Sequence, residues 1–142
     1  MNTGQQHRIA LRTAAAPTPA GTYSQAVRAG DLVFLSGQTP RHPSGERMTT
    51  EPFALQARRT LDNLQALAQA AGGTLHDAVK INVYLRDPAH KSEFDQIYRA
   101  YVSDPPPART LTQTDLPGIP IEIDAILHLP QGTHAPHPDQ NT

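Results

Sequence analysis

The order of β-like and helical patterns along the chain predicts an α/β (α+β) two-layer sandwich, a mixed six-stranded sheet with two helices on one face. Three observations carry that prediction. Short β-patterned runs and helical stripes follow one another as strands, helix, strand, helix, strands. Between Thr50 and Gly72, Ala57, Leu61, Leu64, Ala68 and Ala71 recur at spacings of three and four, with Arg58, Arg59, Asp62, Gln65 and Gln69 opposite. A second stripe, Phe94, Ile97, Tyr98 and Tyr101, repeats the pattern over a shorter span. The 142 residues suit one domain that buries about two-thirds of its unfolded surface. That domain is expected over residues 8–130, between polar, disordered tails at 1–7 and 131–142.

In order, Arg8-Ile9-Ala10-Leu11-Arg12 alternates as a short strand, and an Ala- and Pro-rich loop runs from Thr13 to Gly21. Tyr23 to Arg28 reads as a second strand, Gly30-Asp31 as a turn and Leu32 to Gln38 as the returning strand of a hairpin. Pro43, Ser44 and Gly45 mark the turn of the loop from Pro40 to Glu46. Thr50 is placed to cap the long helix, with Glu51 and Pro52 in favourable positions at its start and Gly72-Gly73 at its end. Ala78 to Leu85 is a strand with Val79, Ile81, Val83 and Leu85 on one side, and Asp87-Pro88 opens the second helix. Pro105-Pro106-Pro107-Ala108 is a stiff lead-in that delivers Arg109 to the strand Thr110 to Thr114. Pro117-Gly118 turns the chain into the last strand, Ile121 to Leu129. Helices on one face leave the other bare, and apolar strand surface there predicts oligomerisation through it.

Composition removes several chemistries. Without cysteine there is neither a disulfide nor a thiol nucleophile nor a thiolate metal site. Twelve basic against thirteen acidic residues offer no electrostatic case for nucleic acid or an anionic membrane. The polar N-terminus has no signal-peptide core and no stretch approaches transmembrane length, so the cytoplasm is the expected compartment. His128, His134 and His137 lie close in sequence, but nothing rigid is seen to hold them as metal ligands, and no metal is expected. Ser36 has no signalled histidine partner and reads as a hydrogen-bonding residue; Tyr23 either projects its hydroxyl into a cleft or packs.

An arginine and a glutamate remain. The guanidinium of Arg109 suits a carboxylate. Glu122, between two isoleucines, is an acid whose partial burial would raise its pKa towards neutrality. Together they suit a small organic acid whose reaction moves water and protons. Imine hydrolysis fits and needs no cofactor.

The chain resembles the RidA (YjgF) family from about Ala16 to Leu129. The resemblance is carried in order by Gly21-Thr22-Tyr23-Ser24-Gln25-Ala26, Leu35-Ser36-Gly37-Gln38-Thr39-Pro40, Gln56-Ala57, Leu61-Asp62-Asn63-Leu64, Asp77-Ala78-Val79-Lys80, Val83-Tyr84-Leu85-Arg86-Asp87, Pro107-Ala108-Arg109 and Ile121-Glu122-Ile123. It implies a chorismate-mutase-like fold and a homotrimer with its sheets facing inward and clefts between subunits. It also implies an enamine/imine deaminase that turns 2-aminoacrylate and small 2-imino acids into 2-oxo acids and ammonia. By the same resemblance Arg109 holds the substrate carboxylate, Glu122 serves the hydrolytic water, and Tyr23 and Ser36 line the cleft.

The chain also departs from the family pattern. Asp95 falls where many members carry Asn near the site; facing the cleft, it would disfavour a compact dicarboxylate and raise the pKa of Glu122. Leu111 is a bulkier wall two residues after the arginine, Thr22 stands where proline is usual, and two loops look shorter. These departures motivate a second reading, a relative specialised to one catabolic or biosynthetic pathway. A third is a non-catalytic, ligand-binding or chaperone-like trimer. Ribonuclease activity, associated with some relatives, finds neither a basic excess nor a signalled catalytic histidine here.

Overall fold

The structure, a computed structural model, describes residues 7–131; the expected tails at 1–7 and 131–142, with His134 and His137, lie outside the described residues except for His7 and Gln131. Six strands and two α-helices follow in the order β1 (Ile9–Leu11), β2 (Ala26–Ala29), β3 (Leu32–Gln38), α1 (Phe53–Ala70), β4 (Ala78–Leu85), α2 (Lys91–Tyr98), β5 (Ala108–Gln113) and β6 (Ile121–His128). They form one mixed sheet of order β1-β2-β3-β6-β4-β5, in which β4 and β5 are parallel and every other neighbouring pair is antiparallel. The last strand is thus inserted between β3 and β4, which the chain connects through α1. This placement sets β6 beside both halves of the sheet.

The helix-covered face holds the core. Val33, Leu35, Ile81, Val83, Leu85, Ile121, Ile123 and Leu127 alternate inward and meet Leu61, Leu64, Leu67 and Phe94 from the helices, all buried. The small residues Ala57 and Ala68 on α1 are also buried and let the helix lie close to the sheet. Helix α1 ends as its glycines dictate. Gly72, at φ +97, and Gly73 donate their N–H groups to the carbonyls of Gln69 and Ala68, closing the two orphan acceptors of the last turn. Tyr101, just past α2, ties the helices together by donating its hydroxyl to Asp62 Oδ1 at 2.8 Å. Burial and the Asp62 charge push that phenol up to about 12.

Several expectations are corrected. The second strand begins at Ala26 rather than Tyr23, because Gln25 is buried and used as a peg. Its side-chain amide accepts from Thr13 N–H and donates to the carbonyls of Thr13, Ala16 and Pro17, clamping the preceding loop, while its main-chain carbonyl still accepts from Ser36 N–H. Thr50 does not cap α1. The extended Pro52 (ψ 153) is the cap residue, and no side chain caps the helix there. Glu51 turns back instead, accepting from Thr49 and Thr50 N–H. Val79 is exposed, unlike Ile81, Val83 and Leu85, because the register of β4 against β6 shifts between Ala78 and Lys80. The extra residue is a bulge.

The bare face is also more polar than expected. Alternation directs Lys80, Asn82 and Tyr84 of β4, Thr110 of β5 and Glu122 and Asp124 of β6 towards it, with Phe34 and Ile126 beside them. Asn82 donates to Asp124 and Lys80 to Thr110, each at 2.8 Å, so the face is a hydrogen-bonded surface with an apolar strip. Burial of apolar strands alone does not demand a partner.

Candidate functional site

The residues singled out from the sequence lie in two separate places. Glu122 points to the open face, and Arg109, paired in register with the buried Ile81 on β4, points to the helix-covered face. One chain cannot bring these two side chains onto one small ligand.

The first place is a cleft of about 320 Å³ beside Glu122, lined also by Tyr23, Ser36, Gly37, Gln38 and Arg41. A break in the pairing of β3 with β6 makes it. Leu35 pairs with Ala125 but Gln38 with Ile123, so Ser36-Gly37 carries one residue too many and bulges. Gly37 leaves the space that the Glu122 carboxyl occupies. A Cβ would come within 3.2 Å of the Glu122 carboxyl carbon and closer still to Oε2. Ser36 donates its hydroxyl to Ser24 C=O at 2.6 Å, which ties the bulge to the loop before β2. Tyr23 is half exposed at the rim, its hydroxyl accepting from Ala20 N–H at 3.1 Å. The opposite wall is pinned to α1 by the fully buried Asn63, which donates to the carbonyls of Thr39 and Arg41.

Glu122 makes no hydrogen bond or ion pair among the described residues. Burial pushes its pKa up, and the Asp124 charge pushes it further in the same direction. The acid that acts on Glu122 within one chain is therefore Asp124, not Asp95, which sits across the sheet beside Arg109. A carboxyl with no ion-pair partner and half out of water is equipped to take up and release a proton.

The second place is a pocket of about 270 Å³ against α2 and the proline lead-in, lined by Asp95, Tyr98, Arg99, Val102, Pro107 and Arg109 among others. Arg109 Nη1 donates to Asp95 Oδ1 at 2.6 Å, the single ion pair among the described residues. Its guanidinium lies 5.0 Å from the Tyr98 ring centroid and 5.9 Å from that of Phe94, so two aromatic faces support the cation. Leu111, two residues on along β5, packs against the core and lines neither pocket of the single chain. His128 is exposed at the end of β6, and no group of metal-ligating side chains forms among the described residues. No helix among the described residues is long and apolar enough to cross a membrane.

The sequence reading missed Gln25, Gln38, Arg41 and Arg47 as cleft residues. A glycine inside a β-patterned run, Gly37, was the signal for the bulge that gathers them.

Comparison with known proteins bears on this geometry. The family model described as Endoribonuclease L-PSP matches residues 13–129. A RutC family protein of Pyrococcus horikoshii is 36% identical over 115 residues, which are 80% of this chain and 91% of that protein. A 2-iminobutanoate/2-iminopropanoate deaminase of Dermatophagoides farinae is 33% identical over 119 residues, 82% of this chain and 93% of the relative. The crystal structure of RidA from the Antarctic bacterium Psychrobacter sp. superposes with a TM-score of 0.80 at 40% identity, covering 85% of this chain and 99% of that one.

Proposed function

The chain belongs to the RidA/YjgF (L-PSP) family, and from that premise we propose that it is a cofactor-independent enamine/imine deaminase, converting 2-aminoacrylate and small 2-imino acids to 2-oxo acids and ammonia. The observation that carries the reading is the state of Glu122, a desolvated, unpaired carboxyl with a raised pKa at the wall of an open cleft. Tyr23 and Ser36 line the same cleft. Arg109 takes the substrate carboxylate, and its position on the opposite sheet face requires that it come from another copy of the chain. We therefore read the working unit as a homotrimer, each site built from Arg109 of one subunit and the Glu122 cleft of the next.

The chemistry needs little more. Water adds to the C=N carbon; Glu122 accepts its proton as the C–O bond forms and the π pair moves to nitrogen. Glu122 then returns the proton to that nitrogen, which in the protonated imine becomes the NH3+ leaving group; the C–N bond breaks and ammonia leaves as the hydroxyl gives its proton to Glu122 and the C=O bond closes. The raised pKa of Glu122 makes it easier to protonate than an ordinary carboxylate. Arg109 contributes position, holding the carboxylate so that the imine carbon meets the water.

Subunit complementation tests both parts. Arg109→Ala and Glu122→Gln are each expected to lose at least about 100-fold in turnover of an imine generated in situ. Dissociated and reassociated as an equal mixture, they should regain about a quarter of wild-type activity, since random assembly gives each interface one intact arginine side and one intact glutamate side in that proportion. No recovery in verified mixed oligomers overturns the shared site. Full activity of Arg109→Ala overturns the assignment of the carboxylate.

A further inference from the structure

The pocket around Arg109 carries charges that carboxylate binding alone does not use. Arg109 spends only Nη1 on Asp95, so Nε and Nη2 make no hydrogen bond among the described residues. Asp95 spends only Oδ1, and Oδ2 is likewise without a partner there. The ring of Tyr98, 6% exposed, lines the same pocket beneath the guanidinium. The pair is neutral in sum but offers donors on one side and an acceptor on the other.

We propose that the Arg109–Asp95 pair recognises a zwitterion, a carboxylate with a protonated nitrogen on the adjacent carbon, and so favours 2-iminium and 2-amino acids over 2-oxo acids of the same skeleton. This rests on the reading that Arg109 holds the substrate carboxylate. A 2-oxo acid brings one negative charge and no donor to a site that already contains the Asp95 carboxylate, and meets repulsion there. The protonated imine brings no net charge, gives its carboxylate to Nε and Nη2, and gives an N–H to Oδ2. Asp95 is thus a specificity-determining residue: it separates substrate from product, which differ at C2 only in nitrogen against oxygen. Weak product inhibition follows from the same repulsion.

Titration calorimetry on the intact oligomer tests this with two stable probes, L-alanine as the zwitterion and pyruvate as the anion. The wild type is expected to bind alanine at least about tenfold more tightly than pyruvate. Asp95→Asn, with Asp95→Ala as a second variant, should tighten pyruvate by about tenfold, weaken alanine, and lower the inhibition constant of the 2-oxo acid product. A wild type that binds the two equally, prefers pyruvate or binds neither overturns the proposal, as does a preference that survives both substitutions. Arg109→Ala separates the two readings. If it abolishes imine turnover while the wild type shows no alanine preference, only the zwitterion selectivity fails; if it leaves turnover intact, the carboxylate assignment beneath it fails.

Discussion

Glu122 and Arg109 carry opposite charges, and the fold treats them in opposite ways. Glu122 stands on the open face, beside a glycine bulge, with no ion-pair partner among the described residues and its pKa raised by burial and Asp124. Arg109 stands under α2, paired with Asp95 and backed by two aromatic rings. The first environment withholds compensation, so the carboxyl can change its protonation state. The second supplies it, so the guanidinium keeps a fixed charge in a fixed place. A proton carrier needs the former and a ligand clamp the latter. Within one chain the sheet holds these two charges apart, so neither compensates the other.

The comparison can be broken from the Arg109 side with the largest effect. Phe94→Ala removes a fully buried ring that floors the guanidinium and is expected to destabilise the fold by about 3–5 kcal/mol in denaturant unfolding. Where the variant is still folded, the Glu122 carboxyl should titrate by NMR as in the wild type. A moved Glu122 titration would show that the two halves are coupled through the sheet.

From the other side, Gly37→Ala drives a Cβ into the Glu122 carboxyl. The flexible end of Glu122 must swing out of the cleft or the bulge must shift, at a stability cost of only about 1 kcal/mol. Imine turnover should fall with it while alanine binding at Arg109 is retained. Retained turnover would mean that Glu122 does not work from this cleft.

The smallest effect sharpens the comparison. Because the folded pKa of Glu122 is raised, its ionised form disfavours the fold: the relative stability it contributes is full below the unfolded carboxyl pKa and lost as pH rises through the folded value. Glu122→Gln is therefore expected to raise Tm at pH 7 by roughly 2 °C, small because Glu122 is partly solvated. That gain should vanish as the pH falls below the ordinary glutamate range. A Tm that drops at pH 7 would show that the charge is compensated after all.

Much of the fold was legible from local pattern. The strands Leu32–Gln38 and Ala78–Leu85 were expected with the bounds observed, because alternation between covered and bare faces is written residue by residue. The termination of α1 was equally local, since Gly72 alone admits the positive φ the turn needs. The helix start was not. Thr50 and Pro52 both fit N-terminal positions, and only backbone conformation decides between them. The polar cast of the bare face was present in Lys80, Asn82, Glu122 and Asp124, yet the apolar half of each alternation hid it.

What the sequence determined by itself is the kind and order of elements and the residue types available for chemistry, because both follow from short-range periodicity and side-chain character. Which charges meet was left to the tertiary structure. Asp95 lies fourteen positions before Arg109 and became its partner only when α2 packed over β5. Gly37 is far in sequence from Glu122, and the insertion of β6 beside β3 made one the space of the other. A pKa or an ion pair depends on distances of a few ångströms between such distant positions, and packing alone sets those distances.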